Sequence, residues 1–157
     1  MIETKRLIVR PLITDNDHQV AQVLADPELL HAAHISFTSL PASSFEIKMF
    51  LQAVQVFGIY QKAEPTKLLG LITADQTNPA LATNECEVGY LEKRTAWGQG
   101  IMTEALRGFL AGTPLAIVAT TDEDNVRSQH VLRNSGFRLT GREGKRLIWR
   151  RPACTRD

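Results

Sequence analysis

The sequence predicts an α/β fold of one domain, with elements in the order βααβββαβαββ. Three observations carry that reading. Short β-rich apolar runs recur at residues 4–11, 57–61, 68–74, 85–93 and 115–121. Between them lie segments with apolar residues at helical spacing and recognisable caps. At 157 residues the chain suits a single core, and no repeat, linker or low-complexity stretch divides it. The domain is expected to span 1–152, leaving 153–157 as a tail.

Residues 4–11 alternate well enough for a strand. Thr14 or Asp15 can cap a helix to about Ala25, with Val20, Val23 and Leu24 on one face. Asp26-Pro27 starts a short helical piece, because Pro is tolerated at a first helical position. Residues 31–41 read as a loop. Ser43-x-x-Glu46 is a capping-box pattern, followed by Met49, Phe50, Ala53, Val54 and Phe57 at helical spacing. Strands 57–61 and 68–74 are joined by a turn at Glu64-Pro65. A polar connection, 78–84, leads into strand 85–93, where Gly89 marks a bulge or a close backbone approach. Trp97-Gly98-Gln99-Gly100 is a turn. Helix 101–110 follows, and Gly112-Thr113-Pro114 stops it. The run at 115–121 is continuously apolar, as suits a buried central strand. Asp124 or Asn125 caps helix 126–134, and Ser135-Gly136 ends it. Residues 137–142 and 145–151 then make a hairpin about Glu143-Gly144.

Apolar residues make up 43% and charged residues 22%, ordinary for a soluble globular protein. A net charge of +1 points away from nucleic acid or another polyanion as partner. Charge is uneven, however: from Arg138 onward seven Arg or Lys stand against two acids. This stretch reads as a solvated strand and tail, the alternative being a basic rim beside phosphates or an acidic substrate. Cys86 and Cys154 lie far apart without metal-ligand spacing, so reduced thiols and no metal are expected. There is no cationic-then-apolar leader and no apolar run of spanning length. A cytoplasmic protein without membrane contact is therefore expected. Dimerisation through an exposed strand edge is compatible with the pattern, and no motif requires it.

The segment 85–106, a strand that breaks into a Gly-bearing turn and then a helix, carries the chemistry. Such a turn aims free N–H groups and the positive end of a helix at one point, an anion site suited to phosphate. A Walker loop is excluded, because no Lys follows Gly100. A dinucleotide fingerprint fits poorly: Thr103 stands where a third small residue belongs, and the turn comes late in the chain. The stretch instead resembles the pyrophosphate loop of the GNAT acetyltransferases, Gln/Arg-x-x-Gly-x-Gly/Ala. It is most similar to the branch of ribosomal-protein N-terminal acetyltransferases, in which Trp-Gly-x-Gly precedes Thr-Glu-Ala-Leu. Residues 3–12 resemble that branch's opening strand. Asn125-Val126-Arg127-Ser128, with Val131-Leu132 and Gly136-Phe137, resemble its second cofactor-binding segment.

The resemblance implies a twisted, mostly antiparallel mixed sheet with helices on both faces, splayed after strand 85–93 to admit coenzyme A. It also implies direct transfer of acetyl from acetyl-CoA to a primary amine, with a protein α-amine slightly ahead of a small-molecule amine. Backbone amides of Trp97, Gly98, Gln99, Gly100, Ile101 and Met102 would hold the pyrophosphate. Met102 replaces the usual final Gly/Ala, and its side chain either points away or crowds that site. Leu91, Glu92 and Lys93 would bond the pantetheine amides through their backbone, with an oxyanion donor near Leu91. Asn125 would contact the cofactor, cap its helix, or do both.

An amine must lose a proton before it can attack. An α-amine of pKa about 8 costs only ~1.4 kcal/mol to deprotonate at pH 7, against roughly 4.6 for a lysine. Glu87, on the strand beside the thioester, is the leading base, with solvent-facing Glu as its plain alternative; Glu85 and Glu143 rank below it. The Tyr that many GNAT enzymes use as acid falls here at Leu132. Ser128 is the residue left to serve the departing thiolate, unless it merely satisfies local backbone. His31 and His34 lie on the expected acceptor-side loop and read chiefly as surface residues. His18 and His130 read as exposed helix residues, and Trp149 as hairpin packing. Met102, Leu132 and the unsettled base leave one alternative, a non-catalytic member of the fold that binds CoA or a partner.

Overall fold

The computed structural model describes residues 1–12 and 17–154. Eight strands form one sheet in the order β1-β2-β3-β4-β5-β6-β8-β7. They are β1 (Ile2–Glu3), β2 (Leu7–Pro11), β3 (Gln55–Gln61), β4 (Glu64–Asp75), β5 (Glu85–Glu92), β6 (Ala116–Asp122), β7 (Arg138–Glu143) and β8 (Arg146–Arg151). Only β5 and β6 run parallel; the other neighbours are antiparallel. The mixed, mostly antiparallel α/β class is therefore as expected.

Strand alternation sends side chains to two cores. On one face, α4 (Ile101–Ala111) and α5 (Val126–Asn134) pack with Cys86, Val88, Ile117 and Trp149. On the other, α1 (Asp17–Val23), α2 (Pro27–Ala32) and α3 (Ser44–Ala53) pack with Val56, Leu68, Leu71 and Leu91. Strand β5 is thus sandwiched, with Glu87 and Leu91 turned towards α1–α3 and Val88 and Tyr90 towards α4 and α5.

Several expectations need correction. Three helices precede β3, as the three capped segments predict, so the order βααβββαβαββ lacks one helix, and Ile2–Glu3 adds a short strand. The proposed cap at Thr14 or Asp15 lies outside the described residues. The Ser43 capping box forms, but α3 ends at Ala53: Val54 is already extended at φ −137°, ψ 163°, and Phe57 belongs to β3. The β3–β4 turn falls at Lys62 and Ala63, not Glu64-Pro65. Gln61 pairs with Glu64 but Tyr60 with Leu68, so Pro65 sits in a bulge where its missing N–H is tolerated. Gly89 keeps unbroken register with Thr73 and forms no bulge. It serves close approach instead, since a Cβ there would lie 2.9 Å from Thr73 Oγ1.

Candidate active site

The sheet opens within β5. On its β4 side, β5 is paired from Glu87 with Asp75 to Glu92 with Gly70. On its β6 side, pairing stops at Glu87 with Val118, while β6 continues against β8 to Asp122. The splay therefore begins inside the strand, earlier than its expected end. Along Gly89–Glu92, alternate residues turn their N–H and C=O to an edge without a strand. A cavity of about 300 Å³ occupies this opening, and a groove of about 420 Å³ continues from it to the turn before α4. Glu92, Met102, Arg127 and Val131 line both.

The turn has the geometry of an anion site. Gly98 and Gly100 hold φ of 75° and 70°, left-handed values that a side chain would strain. Among the described residues, the amides of Gly98, Gln99 and Gly100 have no acceptor. The first-turn amides of α4, from Ile101 on, lack intrahelical partners, and no side chain caps them. Trp97, Lys93 and Leu91 leave the expected set of backbone donors, Leu91 because it stands two residues before Lys93 in the same ladder and turns its N–H and C=O to β4. The Trp97 amide is spent on Arg94 O, at 3.1 Å. The Lys93 amide donates to Leu69 O, and its carbonyl accepts from Ala96, both at 2.9 Å. Met102 is 1% exposed and packed in the core with Ala105 and Leu106, while still lining the groove that leads to the turn.

The connection between β1 and β2 braces this turn from 93 positions away in sequence. Arg6 donates through Nη1 to Gln99 O (3.0 Å), and through Nε and its backbone N to Glu104 (2.6 and 2.8 Å). Thr4 Oγ1 donates to the same carboxylate at 2.6 Å. Burial opposes ionisation of Glu104, but the donors from Thr4 and Arg6 outweigh it and hold its carboxyl below the usual range.

Trp97 lines neither space but backs two residues that do. Its Nε1 donates to Glu92 O at 3.1 Å, and Arg127 lies over its ring with Cζ 3.8 Å from the centroid. Arg127 also pairs with Glu92, which is 5% exposed. Burial pushes the Glu92 carboxyl up, with Arg127 pulling the other way. Arg94, 5.1 Å from the Trp97 centroid, is tied to Asp26 and Glu28 at the start of α2.

At the apex of the splay, Glu87 lines the cavity and accepts from Asn78 Nδ2 at 2.9 Å. Directly opposite in register is Asp75, whose Oδ1 accepts from Thr77 N and Oγ1 at 2.7 and 2.6 Å. Two carboxylates thus face each other across the strands, held among the described residues by neutral donors only, a favourable place for an ammonium. Across the opening, Ser128 Oγ lies 2.6 Å from the Tyr90 hydroxyl, which also reaches Ser128 O at 3.1 Å. Burial raises the Tyr90 phenol above its ordinary range, so it stays protonated. Asn125 is confirmed as helix cap, accepting from Ser128 N at 3.2 Å, and it lines the same cavity.

Of the other candidates, His34 and His130 line the site and the rest fall away from it. Glu85 is occupied by the Ala82 amide and Arg150, and neither it nor Glu143 lines the cavity or the groove. His31 lies in α2 rather than a loop and lines neither. His34 does wall the cavity, with Nε2 3.2 Å from Asp122 Oδ1. His18 and His130 are exposed, and Trp149 is buried with Nε1 donating to Thr121 Oγ1 at 3.0 Å. The hairpin arginines line neither space; Arg6 and Arg107 line a pocket beside Gly100, and Arg127 lines the groove. Tyr90, Arg127, Arg6 and Asp75 were not singled out from sequence, although Arg127 stands inside the segment read as cofactor-binding.

Residues 6–138 match the acetyltransferase (GNAT) domain family. The chain belongs to the GNAT acetyltransferases. No curated protein matches its sequence. Among solved structures, it is similar to a GNAT-family acetyltransferase from Bacillus anthracis, at TM-score 0.78 and 17% identity over 95% of this chain and 96% of that one. It is also similar to the ribosomal-protein-S5-alanine acetyltransferase of Vibrio fischeri, at 0.78 and 18% over 96% and 95%. A third is spermidine N-acetyltransferase from Vibrio cholerae in complex with CoA and spermine, at 0.73 and 14% over 94% of each chain. Among the described residues, no helix is long and apolar enough to cross a membrane.

Proposed function

We propose that this GNAT protein transfers acetyl directly from acetyl-CoA to a primary amine, a protein α-amine ahead of a small-molecule amine. The observation that carries the reading is the loss of the β6 partner after Glu87, which opens β5 towards a turn of unspent amides. The amides of residues 98–102 take the pyrophosphate, and the open edge at Tyr90 and Glu92 aligns the pantetheine arm. The bound thioester supplies the acetyl group.

Glu87 accepts the proton of the incoming ammonium, directly or through one water, while Asp75 adds negative potential beside it. The freed amine nitrogen bonds to the thioester carbon, and a β5 amide near Leu91 steadies the oxyanion. As the C–S bond breaks, the proton still in excess on the nitrogen passes to the departing sulfur, which leaves as the CoA thiol, and the Ser128 hydroxyl donates a hydrogen bond to that sulfur, with Tyr90 fixing its orientation. Asn125 positions Ser128 through its amide. Leu132 is fully buried and takes no part.

The test is release of CoA thiol from acetyl-CoA with a peptide bearing a free α-amine, the same peptide capped, free lysine and spermidine. Turnover with the free peptide that vanishes on capping is expected. Binding of acetyl-CoA without turnover of any amine would replace this reading with the non-catalytic one.

A further inference from the structure

Glu87 and Asp75 do not stand alone at the apex. Gln55 pairs with Ala74, and Val54, extended just before it, comes level with Asp75. Val54, Asp75 and Glu87 therefore form one row across β3, β4 and β5. Alternation turns this row towards α1–α3, on the face where Val56, Leu71 and Leu91 pack. Gly89, next to Glu87 on that face, has no side chain and leaves the floor of the cavity open. Over it lie Leu29, Ala33 and Ile35, from α2 and the turn after it, and Phe50, one helical turn before Val54. These apolar residues and Val54 are only partly buried: they pack against the core while still lining the cavity. Apolar surface left wet beside a polar row is what a ligand's apolar group covers.

Charge narrows what that group is. Asp75 and Glu87 favour an ammonium and repel an anion. The basic groups lining the cavity are Arg127, paired with Glu92, and His34, whose Nε2 lies 3.2 Å from Asp122 Oδ1. Among the described residues of the lining, no cation is spare for an acidic side chain, and no carboxylate beyond the row is spare for a basic one. An unpaired charge against Phe50 and Val54 would carry its full desolvation cost. Val54 stands about 5 Å from Asp75, as neighbouring strand positions do, which is the reach of one side chain.

We propose that the acceptor is an α-amine whose own residue bears an apolar side chain, the ammonium resting on Glu87 and Asp75 and the side chain against Phe50, Val54 and Ile35. The inference rests on the acetyltransferase reading and adds to it a choice among first residues. The chemistry recognised is an α-amino amide, which a peptide and a small amide both carry. His34 and Arg127 are the exposed residues of the lining; Arg127 borders the groove to the turn, so the acceptor enters beside His34.

Steady-state kinetics test it on peptides of one lysine-free sequence that differ only in a first Leu, Phe, Ser, Asp or Arg, together with leucinamide. Their α-amines are close in basicity, so the ranking reports the side chain. Peptides beginning with Leu or Phe should show kcat/KM about tenfold or more above those beginning with Asp or Arg. Phe50→Ala should narrow that ratio while leaving KM for acetyl-CoA unchanged; if it fails to fold, Val54→Ala is read in its place. Equal rates along the series, a charged first residue in the lead, or a ratio unaltered by the substitution would overturn the apolar subsite. Leucinamide as fast as the Leu-first peptide assigns the site to a small amine, and a slower leucinamide to a peptide, the class standing in both. Acetyl-CoA binding without turnover of any member of the series would sink the transferase reading itself, and this inference with it.

Discussion

Replacing Gly98 by Ala isolates the backbone geometry of the phosphate turn. Nothing lies within 4 Å of a Cβ built on Gly98, so the methyl group meets no obstacle. The whole cost is its φ of 75°, a left-handed value worth about 1–2 kcal/mol for a residue with a side chain. Gly112 supplies the internal control. Its Cβ also enters open space, but its φ is −97°, which Ala adopts freely. Gly112→Ala should therefore stabilise by about 0.4–1 kcal/mol, through the unfolded chain. For a domain of this size each kcal/mol moves Tm by roughly 2–4 °C. Thermal unfolding should then fall by about 2–8 °C for Gly98→Ala and rise slightly for Gly112→Ala. CoA affinity should drop only in the first, because relaxing φ re-aims the free amides. Equal Tm changes in the two variants would refute the assignment of strain to this turn.

Glu87→Gln should lower kcat about 10²–10⁴-fold with an α-amine at pH 7, and the deficit should shrink above pH 8, where that amine is already largely neutral; a pH–rate profile checks it, and a pH-independent deficit contradicts a base. Ser128→Ala and Tyr90→Phe should each lower kcat with little change in KM, and the double variant should lose no more than the worse single one, since the two hydroxyls act as a unit. Glu104→Gln should destabilise at neutral pH. A carboxyl held low in the folded state stabilises above its unfolded pKa near 4.5, and that stability is lost as pH falls through the folded value. The gap between wild type and Glu104→Gln in denaturant titrations should accordingly close towards pH 3.

Local chemistry made much of this fold legible before the structure. The Ser43 capping box, the Asn125 cap, the glycine turn and the apolar run of β6 each declare themselves within a few residues. The misreadings at Phe57 and Pro65 arise where a helix-period run crosses into a strand and where a bulge absorbs a proline, both decided by sheet pairing. The site was legible along the chain but not across it. Glu87 and Ser128 stand out by their segments. The contacts Tyr90–Ser128, Glu92–Arg127 and Arg6–Glu104 join residues 38, 35 and 98 positions apart, and periodicity has no bearing on them. Met102 was ambiguous for the same reason: which way a first-turn side chain points depends on the core that receives it.

The central claim is that the opening beside β5 and the turn at 98–102 hold CoA. Thermal unfolding of the purified protein with acetyl-CoA, CoA, ATP and NAD at matched concentrations tests it most directly. At about 100 times its dissociation constant, a ligand adds ~2.7 kcal/mol, a rise in Tm of roughly 5–10 °C here. The account predicts that rise with acetyl-CoA and CoA and a much smaller one with ATP or NAD. No rise with either CoA species, or an equal rise with all four ligands, would contradict it.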